Sequence, residues 1–124
     1  KREFIGSGGQ GNSYSERSGK YYIHIFLPAY ENGLGGININ VSDTQHFSEK
    51  SYVITAYDDN NGAYFLDDRG SAYYTVADNV GLITFTKIDN IKQIFAGTFH
   101  FKAKSLNGQV VNVTEGRFDK QFAK

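Results

Sequence analysis

Apolar and polar residues alternate with a period of two along most of this chain, and that alternation restricts it to folds built from strands. In residues 93–104, Phe99 and Phe101 share one face, while His100 lies on the other. This apolar-in, polar-out pattern is typical of a half-exposed antiparallel strand. Residues 20–27 also alternate, but both of their faces are apolar enough for a central strand. The sequence shows no convincing run of apolar residues at helical spacing.

Turn signals divide these strands at intervals of about ten residues. Fourteen glycines and a single proline, Pro28, fit a chain of tight turns. We therefore predict an all-β fold, either an antiparallel β-sandwich or a flattened up-and-down barrel of about 8–10 short strands. Residues 1–124 should form a single β domain, and the Gly/Ser-rich segment 1–19 is expected to be partly mobile. The only helix that we consider is one turn between Asp43 and Lys50.

The charge balance argues against a polyanionic partner. Thirteen basic and thirteen acidic side chains cancel, so the chain lacks the basic footprint that draws nucleic acid or an anionic membrane surface. It has no cysteine, which excludes disulfides and thiolate metal sites within it. It also has no methionine, so we expect its first residue to arise by processing or truncation of a longer chain, with a signal or anchor upstream of Lys1.

Two features imitate ligand-binding motifs. Residues 6–11 match the G-x-G-x-x-G dinucleotide fingerprint, but no strand–turn–helix unit can be built around them, so we predict a glycine-rich loop. The Asp- and Asn-rich segments 58–61 and 67–68 form the chain's only oxygen-rich cluster. Their spacing is not that of an EF-hand, and turn chemistry explains every residue, so any bound calcium should be weak.

Catalytic and metal-binding constellations are not visible. His24, His46 and His100 sit in separate segments without metal-ligand spacing. Serines lack the context of a nucleophile elbow, and no glutamate lies inside an apolar run that would raise its pKa for acid catalysis. We therefore predict that the protein is not an enzyme and has no catalytic residue, metal or cofactor. A hydrolase is the remote alternative.

Two adjacent tyrosine pairs, Tyr21-Tyr22 and Tyr73-Tyr74, are the most informative candidates for a binding site. Neighbouring residues of a strand point to opposite faces, so one member of each pair should face away from the core or into a barrel lumen. Exposed tyrosines stack on sugars or fill a partner's pocket, because they combine a large, stiff apolar area with a hydroxyl. Tyrosine is also common in strands for structural reasons alone. We take Tyr22, Tyr73 and Tyr74 as the predicted ligand-binding residues.

The C-terminal third carries a resemblance to a known family. Residues 97–101 read Gly-Thr-Phe-His-Phe, and residues 111–119 read Val-Asn-Val-Thr-Glu-Gly-Arg-Phe-Asp. With the strand at 81–89, they resemble the small uncharacterised lipoprotein domains of Bacteroidetes, which end in G-T-F-x-F … V-x-V-T-x-G-x-F. The resemblance covers residues 79–119. It implies an envelope protein tethered through a lipidated cysteine upstream, and it carries no established activity or functional residues.

The motif also has a structural explanation. Gly97 and Gly116 should supply backbone freedom, while Phe99, Phe101 and Phe118 supply core. The repeated strand–turn–strand pattern is similar to that of lipocalin-like and streptavidin-like barrels, but only at the level of fold.

We therefore expect an extracytoplasmic, envelope-associated binding or accessory module. The expected partner is a glycan, a small apolar ligand or an envelope protein, with no nucleic acid, and the membrane is reached only through an upstream anchor. The alternative is a purely structural envelope domain without a ligand. A concave, tyrosine-lined pocket would favour the binding module, and a filled interior without surface patches would favour the structural domain.

Overall fold

Alternating side chains build ten strands in the computed structural model, which describes residues 5–6, 13–28, 35–57, 61–76, 80–89 and 91–121. The strands are β1 (Ile5–Gly6), β2 (Ser13–Arg17), β3 (Lys20–Pro28), β4 (Gly36–Asp43), β5 (Ser51–Ile54), β6 (Ala63–Leu66), β7 (Ala72–Tyr74), β8 (Gly81–Asp89), β9 (Ile94–Lys104) and β10 (Val110–Gln121). None of the described residues forms a helix long and apolar enough to cross a membrane.

The strands join into one sheet with two halves. The first layer has the order β2-β3-β4-β6-β7, and the second has the order β5-β8-β9-β10-β1. Their seam is a single pair, Tyr74 of β7 opposite Lys104 of β9. All pairings between named strands are antiparallel except that of β1 with β10. The predicted all-β antiparallel fold is therefore confirmed.

The sheet folds over so that its two layers share one core. Tyr14 of β2 and Phe95 of β9 lie in different layers, yet their ring centroids are 5.5 Å apart. The buried residues of the first layer are mainly branched and those of the second are mainly aromatic, a composition that interdigitates across facing sheets. The large side chains that are most completely buried are Ile23, Ile25, Leu27, Ile37, Ile39, Ile54, Ile83, Phe85 and Phe95. This arrangement fits a sandwich or flattened barrel.

The strand assignments agree with the alternation in most segments. In β9, Phe99, Phe101 and Ala103 are buried and His100 is exposed, as predicted. The one helical turn that the sequence allowed does not form, since residues 44–50 are bends and irregular backbone. One local expectation differs from the structure: Ser13–Arg17 forms a strand that its polar composition did not indicate. The remainder of the glycine-rich opening, apart from β1, lies outside the described residues.

Gly116 serves a different purpose from the one that we expected. The left-handed backbone at this irregularity of β10 belongs to its neighbour Glu115, whose φ is 56°. Gly116 instead makes room for the ring of Phe99, which would lie 2.3 Å from any Cβ placed there. A side chain at this position would therefore displace a buried aromatic ring, and the motif glycine is required for packing rather than for its own φ.

The facing of β9 gives a direct test. Phe101 is 2% exposed and stacks with Phe99, whereas His100 lies on the solvent side. Phe101→Ala should lower the free energy of unfolding by about 3–5 kcal/mol, while His100→Ala should change it by no more than about 0.5 kcal/mol. Denaturant titration of the two variants measures both values. Similar losses of unfolding free energy at the two positions would contradict the assignment of Phe101 to the core and His100 to the solvent side.

Candidate functional site

The outer face of the first layer is rich in aromatic and amide side chains. We use "outer face" for the side chains of β2, β3, β4, β6 and β7 that point away from the core. On β3 these include Tyr22, His24 and Phe26, which are half-buried rather than fully exposed. These partly buried rings give the face apolar area that suits stacking against a ligand.

Three tyrosines lie together at the β6–β7 side of this face, and we call them the tyrosine cluster: Tyr57, Tyr64 and Tyr74. Tyr64 and Tyr74 are directly opposite each other on β6 and β7, with ring centroids 5.5 Å apart. Tyr57 lies 5.1 Å from Tyr64 and 5.2 Å from Tyr74. Burial, with smaller contributions from Tyr57 and Tyr74, raises the pKa of Tyr64 above its usual value.

A buried threonine fixes the tyrosine that comes from a loop. The backbone N–H of Tyr57 donates to the carbonyl oxygen of Thr75 at 2.7 Å. The Thr75 hydroxyl, in turn, donates to the carbonyl oxygen of Thr55 at 2.6 Å, and the Thr75 residue is only 1% exposed. Because a buried hydroxyl rarely breaks such bonds, the backbone of Tyr57 is held against the residue that follows β7.

Two turns of similar construction frame a depression beside Tyr74. In the first, Asp67 accepts hydrogen bonds from two backbone N–H groups, and Gly70 has a φ of 86°. In the second, the Ser105 hydroxyl accepts from the Gln109 N–H, and Gly108 has a φ of 89°. Glycine suits the left-handed position that such turns require. The depression is lined by Gly70, Ser71, Ala72, Tyr74, Ser105, Leu106 and Asn107.

Polar groups continue the outer face from the tyrosine cluster toward β2. Asn38 on β4 lies opposite Tyr64, and its side chain is nearly buried. His24 Nε2 donates to Asn38 Oδ1 at 3.0 Å, which fixes the amide and the imidazole relative to each other. Farther along, Tyr22 lies under Arg17, whose guanidinium carbon is 4.7 Å from the ring centroid. The face thus combines stacking surfaces with fixed hydrogen-bonding groups.

Most of the chain matches a model of a known protein family. Residues 31–120 match the domain of unknown function DUF6252. The chain belongs to the DUF6252 family. This agrees with the expected membership of an uncharacterised family. No curated protein and no solved structure matches the chain. The matched range contains the tyrosine cluster, whereas β2 and β3 precede it.

The three tyrosines that the sequence predicts as ligand-binding residues of this DUF6252 domain lie in different surroundings. Tyr22 and Tyr74 face outward, as the strand geometry requires of one member in each pair. Tyr73 faces inward, where its ring packs 5.9 Å from Phe65 and its hydroxyl donates to Gln109 Oε1 at 3.4 Å. Tyr73 is partly buried against the core. A ligand on the outer face would therefore meet Tyr22 and Tyr74, and the binding role of all three stays a prediction.

Sequence reasoning missed Tyr57, Tyr64 and Asn38. Tyr64 carried a usable signal, because it alternates with Ala63 and Phe65, which are both buried. The sequence carries no such signal that Tyr57 lies beside Tyr64. Their proximity depends on the hydrogen bond from the Tyr57 N–H to Thr75, the residue after β7.

A second depression lies at one end of the sandwich, lined by Tyr14, Ser15, Glu16, Tyr21 and His46. Here the Tyr21 hydroxyl is 3.3 Å from His46 Nε2, and the two rings are 4.4 Å apart. The next residue, Phe47, is buried, with its ring 5.6 Å from Phe85. These contacts hold the segment 44–50 over the end of the core, so packing accounts for this cluster.

The described residues do not bring metal-ligating side chains together. Within those ranges, no three His, Asp or Glu side chains are close enough to share an ion. His24 lies on the first layer and His100 on the second, and His46 lies in the segment after β4. Asp67 is engaged in its own turn, as predicted for this segment. Asp58, Asp59 and Asn60 lie outside the described residues, so weak calcium binding stays a prediction.

A hydrogen-bonded pair of a tyrosine and a carboxylate, Tyr52 and Asp43, makes the stability of the fold depend on pH. The Tyr52 hydroxyl donates to Asp43 Oδ2 at 2.6 Å. Burial, followed by this hydrogen bond, raises the pKa of Tyr52 to about 12. Burial alone would raise the pKa of Asp43, but hydrogen bonds from Tyr52 and the Gln45 backbone N–H, together with the nearby Lys50 ammonium, lower it overall.

Tyr52→Phe should lower the free energy of unfolding at pH 7 by about 1.5–3 kcal/mol, the usual contribution of a hydrogen bond to a charged group. Folding favours the neutral phenol, so this contribution is fully present below the unfolded tyrosine pKa of about 10. It is lost as the pH rises through the folded value of about 12. Urea unfolding of both proteins across this range measures the difference. Tyr22→Phe, which leaves the pair intact, is the control, and a difference that stays constant to pH 12 would contradict the assignment.

Proposed function

We propose that this DUF6252 domain is an extracytoplasmic, envelope-associated binding module whose outer face recognises a glycan. The observation that carries the proposal is the half-exposed tyrosine cluster beside a depression rich in hydroxyl and amide groups. Sugar rings have an apolar C–H face and a rim of hydroxyls. A surface that binds them therefore needs aromatic rings for stacking and fixed polar groups beside those rings.

The interior supports a surface site rather than an internal one. Phe85 is 1% exposed, and its ring lies 5.6 Å from those of Phe47, Tyr52 and Phe118. Phe95 of the same cluster lies 5.5 Å from Tyr14 of the first layer. Rings at these separations are in contact and leave little space between the layers for a small apolar ligand. A glycan or a partner protein would instead meet the outer face, and the hydroxyl-rich depression favours the glycan.

The envelope location rests on the resemblance of residues 79–119 to lipoprotein domains, with an anchor upstream of Lys1. The second candidate is a purely structural envelope domain. The densely filled core favours that reading, whereas the tyrosine cluster on the surface favours the binding module, because a merely structural sheet face does not need three mutually packed tyrosines.

Alanine substitution in the tyrosine cluster tests the function. The wild-type domain is screened on an array of neutral and acidic oligosaccharides, and its hits are titrated by calorimetry. Tyr64→Ala and Tyr74→Ala should each weaken binding about tenfold or more, because each removes a stacking ring. Tyr64→Phe and Tyr74→Phe retain the ring and should retain most of the affinity.

Tyr21→Ala is the matched control, since Tyr21 is also half-buried but lies in the depression at the end of the sandwich. Circular dichroism and thermal unfolding establish that each variant is folded. Folded variants of Tyr64 and Tyr74 that bind like wild type would place the ligand elsewhere. An array without a single hit for wild type would favour the structural domain.

A further inference from the structure

The outer face has a charge that the whole chain does not. The sequence is neutral overall, with 13 basic and 13 acidic side chains. On the described strands of the first layer, however, the charged side chains pointing outward are Arg17 and Lys20, and no carboxylate accompanies them. The aromatic face therefore has one basic corner, at the start of β3.

The turn between β2 and β3 fixes these two cations side by side. Ser18 and Gly19 both have positive φ values, 54° and 78°, as in the two-residue turns that match the twist of a hairpin. Arg17 is consequently paired with Lys20 across the hairpin. The Glu16 carboxylate accepts a hydrogen bond from the Gly19 N–H at 2.9 Å, which stabilises the turn from the neighbouring position.

Both cations lie over one tyrosine ring. The Arg17 guanidinium carbon is 4.7 Å from the Tyr22 centroid, and Lys20 Nζ is 5.9 Å from it. Stacking on a ring orients a guanidinium without using its hydrogen-bond donors, which remain directed outward in its plane. Within the described part of the chain, neither cation has a carboxylate within ion-pair distance. The lining of the adjoining depression includes Ser13, Ser15, His24 and Asn40.

We infer that the glycan bound by the outer face is acidic, and that its carboxylate binds at the corner formed by Arg17, Lys20 and Tyr22. This inference rests on the proposed function. A planar guanidinium matches a carboxylate with two parallel hydrogen bonds, and serine and asparagine groups nearby suit the hydroxyls of the same sugar. A uronic acid, a sugar that carries a carboxylate on its ring, has this combination of groups.

The distance between the two parts of the face sets the size of the ligand. Tyr74, Tyr64, Asn38 and Phe26 lie in one row across four strands, and Tyr22 is four residues from Phe26 along β3. With strands about 4.8 Å apart and a rise of about 3.4 Å per residue, Tyr22 is about 20 Å from Tyr74. A ligand that touches both must be an oligosaccharide of several rings.

The test uses uronic acid oligosaccharides, namely oligogalacturonate, oligomannuronate and hyaluronan fragments, each compared with its own methyl ester. The ester keeps the sugar rings and removes the charge. Wild type should bind at least one acid about tenfold more tightly than its ester. The double variant Arg17→Gln/Lys20→Gln should weaken binding of that acid about tenfold or more and change the dissociation constant of the ester by less than about twofold.

Lys87→Gln/Lys102→Gln is the matched control, because it removes two exposed cations from the second layer and changes the net charge equally. It should bind the acid like wild type. Equal affinity of acid and ester, an equal loss in the control, or equally tight binding of polyglutamate would each overturn the inference while leaving glycan binding intact. Failure of wild type to bind either form of any sugar would overturn the proposed function itself.

Discussion

The packing of aromatic rings around Phe85 is the interaction on which the rest of this structure depends. Phe85 comes from β8, and the rings around it come from β5, β9, β10 and the segment after β4: Tyr52, Phe95, Phe118 and Phe47. Phe95 in turn contacts Tyr14 of β2 in the first layer, so this ring cluster also joins the two layers of the folded sheet. Since burial of each aromatic ring is worth several kcal/mol, the inward residues fix the register of every strand that supplies one.

Register then determines what the surface presents. A strand that commits Ile23 and Ile25 to the core must direct Tyr22, His24 and Phe26 outward, because a shift of one residue would exchange the two sets. The same constraint on β6 directs Tyr64 outward once Ala63 and Phe65 face the core. The outer face is thus a geometric consequence of the core, while its chemistry is free to vary. In this chain most of the free positions hold aromatic, amide and hydroxyl groups, with Arg17 and Lys20 as the charged exceptions.

The sequence predicted the strands well because the information that specifies them is local. Alternation identified both faces of β9, and turn residues identified most hairpins. β2 was missed because Tyr14 is its only buried residue, so its strand depends on the Ser18-Gly19 turn and on pairing with β3. The tyrosine cluster was only partly predictable, since Tyr57 and Tyr64 meet through the strand order β4-β6-β7 and a loop contact. The role of Gly116 was misjudged for a similar reason: the ring of Phe99 that needs the space is distant in sequence.

The net charge of the chain does not indicate the charge of any one face of the sheet. It adds up side chains on opposite faces, whereas a ligand contacts one face at a time. The neutral composition indicated that the chain would not attract a polyanion. Strand geometry, however, places basic and acidic side chains on different faces. Arg17 and Lys20 share one face with Tyr22, while Glu16, the residue before Arg17, belongs to the opposite set and is engaged with the turn. Salt screens interactions beyond about 10 Å, so a ligand responds to the charges within that distance rather than to the total. A two-residue hairpin turn is therefore enough to create a cationic corner on a neutral protein.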